Sequence, residues 1–278
     1  VIGGAMTDPK GDRSKGPSEQ EDPDLFTRVV DKDENGIYVS GAKAHQTGCI
    51  NSHWIILMPT IRLTEADKDW AVVGVIPADA KGVTYIYGRQ SCDTRSMEEG
   101  DIDDGNAKFG GQEALIILDR VFIPWEKVFM YGEYEFASML VERFTCYHRR
   151  SYVCKTGLGD VLIGAAATIA EYNGVPKVSH IKDKIIEMTH LNETIFAAGI
   201  ASSHQGQQMK SGVFLNDDML AQVCKHNVTR FPYEISRLAQ DIAGGLVVTL
   251  PSEKDFRHPE AGPLLKKYLA GRKGVDVE

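Results

Sequence analysis

The sequence has no run of basic residues longer than a pair, no internal repeat and no low-complexity tract. It has only five cysteines, none in a Cys-x-x-Cys pair. With 31 Lys and Arg against 39 Asp and Glu, a net charge of −8, it lacks the basic footprint that nucleic acid or an anionic membrane surface requires. The pattern shows neither a signal peptide nor the roughly 18 consecutive apolar residues that cross a bilayer, so a cytoplasmic protein without a membrane partner is expected. Few, odd-numbered and widely spaced cysteines argue against a disulfide framework and leave reduced thiols or metal ligation. Motif-rich sequence begins within five residues of Val1, as expected of a piece cut from a longer chain.

What is present divides in two. Short β-branched or aromatic runs at 25–30, 36–43, 54–58, 71–76, 83–87 and 114–118, punctuated by Asn-Gly, Pro and Asp, predict a compact antiparallel sheet or barrel. The acidic stretch 89–112 has no periodicity and no calcium-loop spacing, and reads as a solvated loop. After Pro124-Trp125 the pattern turns helical at 136–172, 178–204, 214–229, 233–242 and 264–271, with a strand-like piece at 246–250. The expectation is an α+β chain with a β domain at 1–133 and a helical bundle at 134–278.

Within the long apolar helix, His148, Tyr152, Cys154 and Lys155 crowd into less than two turns. Propensity alone would place Leu and Ala there, as it does at Val161-Leu-Ile-Gly-Ala-Ala-Ala, so chemistry is the expected reason for the cluster. Two further stretches suit a flat ligand. Gly3-Gly-Ala-Met-Thr-Asp-Pro-Lys-Gly-Asp-Arg13 is a small-residue loop whose backbone can approach a ring, or an ordinary surface turn. Gly41-Ala-Lys-Ala-His-Gln-Thr-Gly-Cys-Ile-Asn51 places Lys43, His45, Gln46 and Thr47 at a strand end, as donors along a ring edge or as incidental polar residues of a hairpin.

Taken together these blocks resemble the acyl-CoA dehydrogenase superfold. The strings Ala5-Met-Thr-Asp-Pro-Lys-Gly-Asp-Arg13, Lys43-Ala-His-Gln-Thr-Gly48, Gly88-Arg-Gln-Ser-Cys-Asp-Thr94, Met139-Leu-Val-Glu-Arg-Phe144, His148-Arg-Arg-Ser-Tyr152 and Ile186-Glu-Met-Thr-His-Leu-Asn-Glu193 more closely resemble the 4-hydroxybutyryl-CoA dehydratases. Those enzymes are related to the flavin-dependent 4-hydroxyphenylacetate 3-hydroxylases. The resemblance implies an acyl-CoA dehydrogenase-like antiparallel β-barrel followed by a C-terminal α-helical bundle. It implies FAD between Met6-Thr7 and Thr47, with Lys43, His45 and Gln46 in the same binding set, and it assigns Glu113, His148, Tyr152 and Lys155 to catalysis. His148 and Cys154 would be two of four ligands of a 4Fe-4S cluster. Gln240, Gly244 and Gly245 would reach the FAD of a neighbouring subunit in a homo-oligomer, expected as a tetramer. The implied reaction is dehydration of 4-hydroxybutyryl-CoA to crotonyl-CoA through a flavin and iron-sulfur radical route, with vinylacetyl-CoA Δ-isomerase activity beside it. A flavin-dependent aromatic monooxygenase is the alternative.

The family interval from His to Cys is seven residues, which returns the thiol to the same helical face; here it is six. On an ideal helix Cys154 then lies about 120° from His148, with Lys155 in the same-face position. A local distortion of the helix, a different mode of ligation and a plain buried thiol all remain open at this point. Cys49 and Cys146 read as core thiols, and His190 and His226 as ordinary helix histidines. The Glu187 to Asn192 pattern reads equally as a structural hydrogen-bond network or a substrate contact.

Overall fold

The computed structural model describes residues 1–88 and 113–277 and divides into two compact units, Val1–Glu142 and Arg143–Glu278. The acidic run, Cys92 and all but the first residue of the block 88–94 fall outside the described residues.

The first unit contains eight described strands: β1 (Ile2–Ala5), β2 (Arg28–Lys32), β3 (Gly36–Thr47), β4 (Trp54–Leu57), β5 (Val72–Pro77), β6 (Val83–Tyr87), β7 (Glu113–Pro124) and β8 (Val128–Tyr131). They form two four-stranded sheets, ordered β1-β4-β5-β8 and β2-β3-β7-β6. The expected antiparallel barrel is corrected on two counts. Among the described strands no hydrogen-bonded pair joins the sheets, and β1 pairs with β4 in parallel, from Ile2↔Trp54 to Ala5↔Leu57. The physical reason is a core that both sheets share face to face: Ile55, Leu57, Val72 and Ile76 meet Ile37, Val39, Ile116, Val121 and Ile123. Burying each such side chain contributes ~1.5–3 kcal/mol, and the period-2 alternation of β7 supplies every second one.

The strands β3 and β7 are the longest at 12 residues each, and their ladder sets the site end of the sheet. Its register shifts between Lys43 and Gln46, where three steps along β3 (Lys43 to Gln46) oppose two along β7 (Ile116 to Ala114). This bulge lets Ala44 leave the ladder. Its N–H donates instead to Thr7 O at 2.8 Å. Thr47 is then paired directly with Glu113.

The second unit is helical. It receives α1 (Ala137–Ser151), which passes through one 3-10 turn (Tyr152–Lys155) into α2 (Thr156–Tyr172). Then follow α3 (Ser179–His204), a two-strand ribbon of β9 (Gln207–Gln208) and β10 (Phe214–Leu215), α4 (Asp218–Val228) and α5 (Phe231–Ala243). Short helices α6 (Leu246–Thr249), α7 (Glu253–Arg257) and α8 (Ala261–Tyr268) complete it. Ala166 and Ala170 of α2, Met188 and Leu191 of α3, and Ile235, Leu238 and Ile242 of α5 make one core.

The strand expected at 246–250 is a helical turn. Gly244 and Gly245 precede it, and their carbonyls accept from Val247 N and Val248 N. The expectation that no stretch is apolar enough to cross a bilayer is also corrected. Residues 134–172 contain an 18-residue window of mean hydropathy 1.4 that passes by length and composition. Within α2 only Gly159, Ala166 and Ala170 are buried, and a Cβ on Gly159 would stand 2.0 Å from Asn192 Oδ1.

Candidate functional site

In the first unit the loop after β1 and the end of β3 are built on one another. Asp8 and Lys43 form a buried ion pair, with Nζ 2.5 Å from Asp8 Oδ1, and side chains only 2 % and 7 % exposed for Lys43 and Asp8. The ammonium also donates to Met58 O at 2.6 Å and Met6 O at 3.2 Å, so its three protons have three acceptors. Asp8 Oδ2 accepts from the Thr60 backbone N–H and hydroxyl. Burial pushes the Lys43 pKa down while Asp8 acts against that shift. Gln46, also buried, donates to Thr7 O at 2.9 Å.

His45 and Thr47 lie exposed on the same strand end, as Thr7 does on the loop, and Met6 is half-buried. The Thr47 hydroxyl donates to Glu113 Oε1 at 2.5 Å, a contact that follows from their cross-strand pairing. Met6, Thr7, His45, Thr47 and Glu113 therefore belong to this strand-end region and keep surface open to a ligand, whereas Lys43 and Gln46 face inward. Behind them Cys49 is fully buried, its pKa pushed up to about 11 by burial and then by the Glu113 carboxylate. It is an inert core thiol, as is Cys146, whose Sγ meets Asn216 O.

In the second unit the reactive cluster spans the end of α1, with His148, and the 3-10 turn, with Tyr152, Cys154 and Lys155. Residues 148–151 are α-helical and 152–155 are not, and a 3-10 step turns about 120° rather than 100°. Six such mixed steps place Cys154 about 60° from His148 instead of about 120°, and seven place Lys155 about 60° away on the other side. The turn is held by a close approach of α3, where a Cβ on Gly199 would stand 2.7 Å from Val153 Cβ. Cys224, fully buried in α4, has its Sγ directed at Arg150 O and Ile195 O.

The imidazole of His148 stacks on Phe144 (5.4 Å, 22°) and meets the edge of Tyr152 (4.9 Å, 64°). Its residue is otherwise exposed, as are Cys154 and Lys155, and Tyr152 is half-buried. Lys225 of α4 places its Nζ 4.2 Å from the Tyr152 ring centroid. The packing of the ring, then Lys225, then Arg149 hold the His148 pKa below the usual histidine value. A neutral imidazole and an accessible thiol are each competent metal donors. Among the described residues, however, no group of three or more His, Cys, Asp or Glu is placed to hold a metal, so this pair supplies at most part of a ligand set.

Gln240, Gly244 and Gly245 sit exposed at the C-terminal end of α5, with Gly244 N donating to Gln240 O. Among the described residues, no hydrogen bond or ring contact joins them to His148 or to the Tyr152–Lys155 turn. His190 and His226 are exposed on their helices. Asn192 resolves its ambiguity structurally: it is buried and ties α3 to α2 through Thr156 O and Asp160 Oδ1. Sequence reasoning missed Asp8, Thr60 and Lys225. The Thr-Asp-Pro string flagged the place of Asp8, but Thr60 and Lys225 act across the fold and leave no local signal.

Family models match both parts of the chain: the 4-hydroxyphenylacetate 3-hydroxylase N-terminal model at residues 1–130 and the C-terminal model at 137–278. The 4-hydroxybutyryl-CoA dehydratase/vinylacetyl-CoA-Δ-isomerase of Clostridium aminobutyricum is 64 % identical over 92 % of this chain and 53 % of its own length. A solved oxygen-tolerant archaeal 4-hydroxybutyryl-CoA dehydratase from N. maritimus is 95 % identical, with a TM-score of 0.97 over all of this chain and 55 % of that one. A variant of the oxygenase component of 4-hydroxyphenylacetate 3-monooxygenase, solved with FAD, is 25 % identical with a TM-score of 0.87, over all of this chain and 58 % of its own. Glutaryl-coenzyme A dehydrogenase, at 15 % identity, shares the fold with a TM-score of 0.62 over 89 % of this chain and 57 % of that one. The chain thus has an acyl-CoA dehydrogenase-like mixed fold, and spans about half the length of the relatives it matches.

Proposed function

The chain belongs to the 4-hydroxyphenylacetate 3-hydroxylase family, and on that premise we propose that it is part of a 4-hydroxybutyryl-CoA dehydratase. The reaction is loss of water from 4-hydroxybutyryl-CoA to give crotonyl-CoA, with vinylacetyl-CoA Δ-isomerase activity. The observation that carries this reading is the 64 % identity to the bifunctional clostridial enzyme over nearly the whole chain. The grouping of His148 at the end of α1 with Tyr152, Cys154 and Lys155 in the following 3-10 turn supports it independently.

FAD fits the first unit, because the Met6–Thr7 loop has its carbonyls consumed inward and Thr47 and Glu113 stand open beside His45. A 4Fe-4S cluster fits the second as far as two ligands go, through His148 and Cys154. When bound, the flavin supplies reversible one-electron chemistry that acidifies an otherwise inert β-C–H bond, and cluster iron supplies a Lewis acid for the departing hydroxyl. The residues of the chain do the rest. Thr47 donates to Glu113 and so orients its carboxylate for proton transfer. The Tyr152 phenol, packed on His148 and under Lys225, holds or moves a proton at its hydroxyl. Lys155 presents an ammonium from the same turn to an oxygen of the acyl-CoA substrate. Gln240, Gly244 and Gly245 serve the FAD of a neighbouring subunit in a homotetramer, and the enzyme acts in the cytoplasm.

Anaerobic purification of the full-length protein, with iron and sulfide analysis and an optical spectrum, tests the reading. Flavin together with about four irons per subunit is expected. Flavin without iron sinks the dehydratase and favours the aromatic monooxygenase chemistry of the more distant relatives.

A further inference from the structure

The loop from Ala5 to Asp8 presents an uncommon accounting of backbone groups. Ala5 O accepts from Met58 N at 3.2 Å, Met6 O from Lys43 Nζ, and Thr7 O from both Ala44 N and Gln46 Nε2. Three successive carbonyls therefore point into the fold. In a trans peptide the carbonyl and the following N–H point to opposite sides, so the N–H groups of Met6, Thr7 and Asp8 face the other way. No acceptor among the described residues engages these three donors.

A lysine is a costly way to fill a core position. Its burial carries a desolvation penalty, and a hydrophobic residue of similar volume is often as stable or better. Lys43 has a reach that no apolar side chain reproduces. From β3 its ammonium grips Asp8 and Met6 on the loop and Met58 beyond β4, positions 35, 37 and 15 residues distant. Asp8 in turn is fixed by Thr60.

We propose that Lys43, with Asp8 and Gln46, is a positioning system that presents the Met6, Thr7 and Asp8 N–H groups as a rigid donor edge for the carbonyl and imine acceptors of the flavin ring. Lys43 and Gln46 act through the loop and do not touch the cofactor. This rests on the assignment of FAD to the first unit.

The test uses full-length protein stripped of FAD and retitrated. Lys43→Met with Asp8→Asn removes both charges together, so that neither is left buried alone, and Gln46→Leu removes one donor to Thr7 O. The double variant is expected to bind FAD at least tenfold more weakly and to shift the visible band of the flavin that still binds, with native circular dichroism retained. Gln46→Leu is expected to weaken FAD about threefold. FAD affinity within twofold of wild type in both variants overturns the proposal. So does a loss in the double variant that merely follows lost native structure while Gln46→Leu binds normally. A wild-type protein that takes up no FAD overturns the flavin assignment itself, a different and recognisable result.

Discussion

The two units treat their polar groups in opposite ways. In the sheet unit the charged pair is buried, every proton of Lys43 has an acceptor, and the exposed groups beside it are few. In the helical unit the reactive groups are accessible, held by aromatic packing and a turn that departs from α geometry rather than by hydrogen bonds. The first arrangement suits a surface that must not move while a large planar group lies on it; the second suits side chains that must themselves exchange protons or bind a metal. Reactivity should therefore fall steeply with small changes in the helical unit, and stability with small changes in the sheet unit.

The largest effect expected is on rate. Tyr152→Phe in cofactor-loaded protein should lower turnover by about two to four orders of magnitude, since it deletes one hydroxyl from a half-buried ring whose packing survives. Iron and flavin contents should stay at wild-type values; full activity would remove Tyr152 from the mechanism. Next in size is the single substitution Lys43→Met, which strands Asp8 without its cation. A loss of about 3–5 kcal/mol in denaturant unfolding is expected, and the double substitution with Asp8→Asn should recover most of it. Equal losses in the single and double variants would show that packing volume, not the ion pair, sets the cost. Smaller again is Gly199→Ala, whose new Cβ meets Val153 at 2.7 Å. It should cost about 1–3 kcal/mol and lower iron content more than flavin content, because the 3-10 turn and not the sheet is displaced.

The same contrast decides how much was legible beforehand. The strands at 36–43, 83–87 and 114–118 announced themselves by β-branched content, and the long helices by period and by stops such as Asn173-Gly174. That the described strands form two separate sheets rather than a barrel was not readable, because strand pairing depends on contacts far apart in the chain, and β1 finds its parallel partner 52 positions away. The reactive residues were recognisable by type and by family pattern. Their burial was not: Lys43 and His45, two residues apart, were indistinguishable as candidate ring contacts until the bulge turned one inward and left the other outside. The six-residue interval from His148 to Cys154 looked like a defect on an ideal helix. A turn of four residues in tighter geometry halves the angular gap, and nothing in Tyr-Val-Cys-Lys signals it, since α3 imposes it through Gly199.

The smallest effect concerns the charge on His148 in metal-free protein. Its folded pKa lies below the unfolded value of about 6.5, first because Phe144 and Tyr152 pack its ring and then because Lys225 and Arg149 repel a proton. The unfolded chain therefore binds that proton more readily, so this contribution is complete above about pH 6.5 and is lost as pH falls through the folded pKa. Lys225→Met removes a secondary cause and leaves the packing, so the His148 pKa should rise part of the way toward 6.5. Proton NMR titration of the His148 ring reads this directly. A value unchanged from wild type would show that Lys225 serves only the Tyr152 ring, which would make the helical site a matter of packing alone and draw it closer in kind to the sheet.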